Sequence, residues 1–269
     1  MEVRAQRRAH PQAALECYAN KSIDTNGTEE DDPPDTAFAL TLDCHHYTSL
    51  NQVAWDIQKY WQQRHQIFSR YDEGIRMTDD AWFGVTPEPV AQQVAQDLAS
   101  NRRPEQRTLI DMFAGAGGNV IAFARTQCWS RIIAIEKDAA VLACAYHNAK
   151  IYGVQDRITW IYADAFDYLS HSSYILNPNE VVIFASPPWG GPSYSCDAIF
   201  DLDTMQPYSL LQIYEVTKHV DTAIYLPRTS DLRQIACLGP NNPKIEVVQY
   251  CMQGASKAMV AFIPALQLI

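Results

Sequence analysis

Residues 107–126 of the chain read RTLIDMFAGAGGNVIAFART. An apolar run with the character of a buried strand stops at Gly115, Gly117 and Gly118, and a second apolar run with helical spacing follows. Glycine permits both the tight turn and a close approach of the backbone to a bound group, so strand, turn and helix together read as a ligand-binding corner of an α/β domain. Asp111 stands at the end of the strand.

The alternation continues downstream. Strand-like runs at RIIAIE (131–136), RITWIYAD (157–164) and EVVIFAS (180–186) surround a helical stretch, DAAVLACAYHNAKIYG (138–153), and further strand-like runs follow at TAIYLPR (222–228), KIEVVQY (244–250) and KAMVAFI (257–263). Near-continuous apolar strands interleaved with helices predict a mostly parallel seven-stranded sheet with helices on both faces. The short gap between the last two runs predicts an antiparallel hairpin at one edge. In such sheets ligands lie beyond the carboxyl ends of the strands, so the loops after each strand carry the functional reading.

Upstream, residues 51–71 place Val53, Ile57, Tyr60, Trp61 and Ile67 at helix-like intervals and predict one amphipathic helix. A second helix is predicted over residues 87–100, with Thr86 as its N-cap. Residues 1–50 are polar and include the acidic cluster EEDDPPD (29–35), the signature of a solvated tail. The expected organisation is a tail (1–50), a helical extension (51–100) and a catalytic domain (101–269).

A formal net charge of −10 argues against a protein that coats long stretches of nucleic acid, which needs many cations, while leaving room for a small anionic-ligand site. Seven cysteines without a CxxC pair fit free thiols in a reducing, intracellular setting. His45 and His46 beside Cys44 lack a fourth ligand at metal-site spacing, so no metal is expected. No stretch approaches the roughly 18 apolar residues of a membrane span, which predicts a soluble chain.

The second strand ends in Glu136, about 20 residues after the glycine turn, where a carboxylate accepts hydrogen bonds from the two hydroxyls of a ribose. The third ends in Asp164, which either accepts from the amino group of an adenine or caps the next helix. These residues predict a nucleotide-type cofactor without choosing between NAD and S-adenosylmethionine.

After the fourth strand comes SPPWGG (186–191). Prolines stiffen the loop. Trp189 is expected to face the pocket mouth, where a planar base gains about 1–3 kcal/mol by stacking and more if it is cationic; the structural alternative is a tryptophan plugging the core. An exocyclic amine on a nucleobase is a poor nucleophile, its lone pair being delocalised into the ring. The chemistry then rests on positioning: the Ser186 hydroxyl and the carbonyls of Ser186 and Pro187 accept the amine hydrogens and fix the line of approach, with no strong base.

SPPWGGPSY (186–194), LIDMFAGAGGNVIAFA (109–124), YDEGIRMTDDAWFGVTPE (71–88) and IEKDAAVLACAYHNAKIYGVQDRI (135–158) together resemble the catalytic domain of the trimethylguanosine synthase family, from about residue 51 to the C-terminus. The resemblance implies a class I Rossmann-like methyltransferase fold with a small helical N-terminal extension. It implies two successive methyl transfers from S-adenosylmethionine to the 2-amino nitrogen of 7-methylguanosine caps on small nuclear and nucleolar RNAs. It further implies a monomer in the nucleus and nucleolus, with capped small RNAs and small ribonucleoprotein core proteins as partners and no membrane.

By the same resemblance, Asp111, Gly115 and Gly117 border the methionine part of the cofactor, Glu136 its ribose, and Asp164 with Ala165 and Phe166 its adenine. Phe68 and Thr86 close over it from the extension. Trp189 stacks on 7-methylguanine, Asn148 helps hold the base or ribose, Ser186 with Pro187 addresses the amine, and Lys59 and Arg228 meet the cap phosphates. Gly84 stands where relatives carry serine, and the C-terminal PALQLI (264–269) lacks a basic tail. Competing readings are an amino-group methyltransferase for guanine or adenine in another RNA, a nicotinamide-dependent oxidoreductase, and a cap-binding module without catalysis.

Overall fold

The computed structural model describes residues 38–172, 177–191, 198–238 and 244–266, all within one compact unit, Thr36–Ile269. Seven strands, β1 (Thr108–Asp111), β2 (Arg131–Glu136), β3 (Ile158–Tyr162), β4 (Val181–Ala185), β5 (Asp221–Pro227), β6 (Glu246–Met252) and β7 (Ala255–Ile263), form one sheet in the order β3-β2-β1-β4-β5-β7-β6. The pairings among β1 to β5 are parallel, and β7 runs antiparallel to both β5 and β6. The predicted hairpin is present, closed by Gln253 and Gly254 at φ 53° and 76°, the left-handed pair that a two-residue turn demands. Its second strand inserts beside β5 and leaves β6 at the edge.

Alternation along the central strands shows why those runs are apolar throughout. Leu109, Ile132, Ala134, Val182, Phe184, Ala223 and Tyr225 belong to one buried cluster, whereas Ile110, Ile133, Ile135, Ile183, Ala185, Ile224 and Leu226 belong to another. Side chains of period two supply both faces, and each face is covered. The first cluster takes in α4 (Glu88–Asn101), α5 (Gly118–Arg125) and α6 (Ala139–Ile151); the second takes in α8 (Leu210–Thr217) and α9 (Leu232–Ala236), with α7 (Ala165–Ser172) packed against it. Strand order reverses between β1 and β4, and the crevice at their carboxyl ends is where such a sheet binds its ligand.

Three sequence expectations are corrected before α4. Residues 51–71 do not form one helix: a 3-10 turn (Leu50–Gln52) is followed by α1 (Gln58–Trp61), α2 (Arg64–Ile67) and a second 3-10 turn (Tyr71–Glu73). The Gln58 side chain donates to the Val53 carbonyl (3.0 Å) and the Ile57 N–H turns to Ala54 instead, so the ladder of a continuous helix is interrupted. Trp61, its indole bonded to the Tyr47 carbonyl, is buried with Ile57, Phe68 and Tyr71 in the core shared with α4 and α6, and tertiary burial outweighs the weak intrinsic preference of so short a helix.

The polar tail does not extend to residue 50. Residues 1–37 lie outside the described residues, but Cys44 is buried, His45 and Met77 exchange backbone hydrogen bonds (2.8 and 2.9 Å), and Phe38 packs on Tyr146. Nor does Thr86 cap α4. Pro87 holds that position without a side-chain cap bond, and the Thr86 hydroxyl is engaged elsewhere. Between the second 3-10 turn and α4 lies α3 (Ala81–Gly84).

Candidate active site

A cleft of about 400 Å³ opens at the carboxyl ends of β1, β2, β3 and β4. The loop after β1 contributes Gly115, that after β2 Glu136 and Lys137, that after β3 Asp164 and Ala165, and that after β4 Ser186, Pro187 and Trp189. Phe83 and Thr86 close it from the amino-terminal side. Asp80, Glu136 and Asp164 are the carboxylates among its described lining residues and Lys137 the cation, so the field in the cleft favours a positively charged ligand.

The glycine turn is built around Glu136. Gly115, at φ 53°, donates its N–H to Glu136 Oε2 (3.0 Å), while the N–H groups of Lys137 and Asp138 donate to Oε1 (2.9 Å each). Burial pushes this carboxyl above its ordinary range against those three bonds. Gly117 begins α5 at φ 97°; a Cβ there would stand 3.1 Å from Ile121 Cδ1 and 3.4 Å from the Ala145 backbone. It does not line the cleft itself: it lets the turn press against α6.

Asp111 lies wholly buried beneath the turn, outside the cleft lining. Its Oδ1 accepts from the Phe113 N–H (3.2 Å), and its Oδ2 has no hydrogen-bond partner among the described residues. Burial pushes its pKa up to about 7, with the nearby Glu136 adding to the rise. Thr86 is also buried, and its hydroxyl accepts from Asn119 Nδ2 (3.0 Å). Asn119 lines the cleft, and its Oδ1 is buried and without a partner among the described residues.

Asp164 lines the cleft and caps the next helix. Its Oδ1 accepts from the Phe166 N–H (2.9 Å) as a helix cap, while its Oδ2 accepts from the Tyr208 hydroxyl. Trp189 is half-buried at the cleft wall, its ring stacked on Tyr225 of β5 (5.9 Å between centroids, 12° between planes) and its indole N–H directed to the Tyr225 carbonyl (3.4 Å). It borders the cleft and also packs against both buried clusters beneath it.

Besides Asp111 and Gly117, four further expected site residues are not brought to the cleft. Phe68 is buried in the core, beside a separate crevice formed by Glu88, Arg125 and Tyr152, because the chain breaks after α2 and turns it inward. Asn148, fully buried, is a clamp: its Oδ1 accepts from the Arg76 N–H (2.8 Å) and its Nδ2 donates to the carbonyls of Arg76 and Ala116 (2.9 Å each). With its amide so engaged it ties the extension and the glycine turn to α6. Lys59 and Arg228 are exposed at the periphery. Lys59 Nζ sits 4.7 Å above the Tyr60 ring, Tyr60 is edge-on to Phe83 at 5.5 Å, and Phe83 lines the cleft. Arg228 directly follows β5, three residues beyond Tyr225.

Sequence reading missed Asn119, Lys137, Phe83 and Asp80 as lining residues, and Tyr208 as the partner of Asp164. Asn119 and Lys137 are each adjacent to a residue singled out for its motif; nothing local marks Tyr208, which lies 44 residues from Asp164.

The sequence profile of a family described as RNA cap guanine-N2 methyltransferase matches residues 106–266. The chain is 35% identical over 209 residues to Trimethylguanosine synthase of Schizosaccharomyces pombe, covering 77% of this chain and 85% of that protein. It is 32% identical over 182 residues to Trimethylguanosine synthase of Saccharomyces cerevisiae, covering 66% of this chain and 56% of that one. Among solved structures it resembles the human methyltransferase 10 domain containing protein with a TM-score of 0.53 at 16% identity, over 78% of this chain and 99% of that chain, a likeness of fold alone. Because the profile match starts just before β1 and runs past β7, it takes in the whole sheet and the four loops that carry the glycine turn, Glu136, Asp164 and Trp189: the chain belongs to the RNA cap guanine-N2 methyltransferase family.

Proposed function

We propose that the protein transfers methyl groups from S-adenosylmethionine to the 2-amino nitrogen of 7-methylguanosine RNA caps, twice in succession, giving 2,2,7-trimethylguanosine. The observation that carries this reading is that a single cleft is lined both by the glycine turn with Glu136 and by the indole of Trp189. Cofactor and base then meet in one enclosure, as a direct transfer requires.

The residues present fit the cofactor. The cleft volume falls in the range of about 300–1,000 Å³ that receives such ligands. Asp111 Oδ2 and Asn119 Oδ1 are buried acceptors without protein partners among the described residues, and acidic lining suits a ligand that carries positive charge. When bound, S-adenosylmethionine supplies an electrophilic methyl group on a sulfonium sulfur. Glu136 would hold its ribose, Asp164 and Ala165 its adenine, and Asp111, Gly115 and Gly117 with Thr86 would shape the methionine end.

On the substrate side Trp189 offers an aromatic face to a base made cationic by its 7-methyl group, a favourable pairing beyond ordinary stacking. Ser186 and Pro187, rigidly set after β4, accept the hydrogens of the 2-amino group and orient its nitrogen. Lys59 and Arg228 meet the cap phosphates at the rim. The proton released by the amine passes to solvent, since no strong base is required. Capped small nuclear and nucleolar RNAs are the substrates of this reading, and the nucleus is its setting.

The test uses labelled S-adenosylmethionine with 7-methylguanosine-capped and unmethylated-capped dinucleotides, and mass analysis of the products. Two added methyl groups on the first and none on the second are expected. Equal transfer to both would overturn the cap-specific reading.

A further inference from the structure

Tyr208 precedes α8, in a segment with no recognisable motif, and packs behind residues that line the cleft. Its hydroxyl donates to Asp164 Oδ2. Its ring stacks on Phe166, with centroids 4.1 Å apart and 24° between planes, and Phe113 tilts against it at 6.1 Å. Lys137 Nζ stands 5.5 Å above its centroid. Phe113, Lys137 and Asp164 line the cleft from the loops after β1, β2 and β3 respectively. One side chain therefore joins three loops beside the carboxylate assigned to the purine.

An ionised carboxylate accepts at about four lone-pair positions and donates at none. Of those on Asp164, one on Oδ1 is taken by the Phe166 N–H and one on Oδ2 by Tyr208, which leaves acceptors for an incoming amine. The aspartate χ2 torsion is soft, so a carboxylate held at one oxygen can still rotate about it. The second bond removes that freedom.

We propose that Tyr208 is a positioning residue that fixes the Asp164 carboxylate and thereby selects a 6-amino purine over a 6-oxo purine at the cofactor site. This rests on the reading that Asp164 addresses the adenine of S-adenosylmethionine. A fixed carboxylate accepts from the exocyclic amine of adenine and repels the lone pairs of a 6-oxo group. A rotating one can instead accept from the ring N1–H of hypoxanthine, and discrimination narrows. Burial and the neighbouring Asp164 push the Tyr208 hydroxyl up to about 12, so it stays a donor throughout the neutral range.

The test is calorimetric binding of S-adenosylhomocysteine and of S-inosylhomocysteine to the wild type, Tyr208→Phe, Asp164→Asn and the double variant. Phenylalanine keeps the stack on Phe166 and removes only the donor. Tyr208→Phe should weaken S-adenosylhomocysteine about ten-fold, the scale of a lost hydrogen bond to a charged group, and tighten S-inosylhomocysteine, whose N1–H the freed carboxylate can now reach. Asp164→Asn should weaken S-adenosylhomocysteine less in the Tyr208→Phe background than in the wild type, because the side chains act as one unit. Unchanged S-adenosylhomocysteine affinity in Tyr208→Phe, or equal weakening of both ligands, would overturn the proposal and make the tyrosine merely structural. A wild type that binds neither ligand, or both equally, would show that the underlying adenine reading had failed, and the proposal would fall with it.

Discussion

Replacing Asp111 with asparagine separates the electrostatic state of the buried carboxylate from its shape. The acid is wholly buried, one oxygen bonded to the Phe113 N–H and the other without a partner among the described residues. Burial holds its pKa at about 7 in the fold, against an ordinary 3.8. Below pH 3.8 the group is protonated whether the chain is folded or not and contributes no pH dependence. Between 3.8 and about 7 the folded protein binds the extra proton, so stability falls as pH rises through this window. Above about 7 the loss is complete. At about 1.4 kcal/mol per pH unit, the gap corresponds to a ceiling on the order of 4 kcal/mol.

Asparagine retains the acceptor for Phe113 and never ionises. Relative to the wild type, the ligand-free Asp111→Asn protein should therefore gain stability steadily from pH 4.5 to about 7 and level off above it. Urea unfolding of both proteins at several pH values, with equal m-values, measures that difference and cancels the titration of groups common to both. A difference that does not change with pH, or one that changes in the opposite direction, would refute the argument from burial. Saturating S-adenosylhomocysteine at pH 8 should stabilise the wild type more than the variant, because its ammonium compensates the carboxylate.

Trp189→Ala should lower turnover by roughly two to three orders of magnitude, from stacking and cation–π attraction combined, while S-adenosylhomocysteine affinity measured by calorimetry stays within about two-fold; loss of that affinity would mean the indole is structural. Asn148→Ala should cost about 3 kcal/mol in urea unfolding, since three backbone groups lose their partner, and leave KM for the capped dinucleotide unchanged. A raised KM at unaltered stability would return Asn148 to the substrate site. Gly117→Ala should lose about 1–2 kcal/mol from the left-handed backbone alone, with the crowding at Ile121 and Ala145 adding to it; a wild-type unfolding midpoint would show that the turn tolerates a side chain.

The parts of this protein legible in its sequence are those governed by short-range chemistry. Strand runs buried on both faces must be apolar at successive positions, and a turn that brings strand end, helix start and ligand together must use glycine at Gly115 and Gly117. The same holds for the carboxylates that end β2 and β3 and for the loop that carries Trp189: each sits at a fixed offset from a strand end, so topology alone delivers them to one rim. Tertiary structure decided the rest. Val53, Ile57 and Trp61 have helical spacing, yet a side-chain bond to a backbone carbonyl and burial against α4 and α6 break that helix. Asn148 carries the polarity of a binding residue, but its three bonds are to backbone groups far away in the chain. Tyr208 reaches Asp164 only because α8 packs beside α7 on one face of the sheet. Local sequence sets the conformational preference of a few residues at a time, whereas the partner of a buried polar group is chosen by packing between segments distant in the chain, which no local spacing encodes.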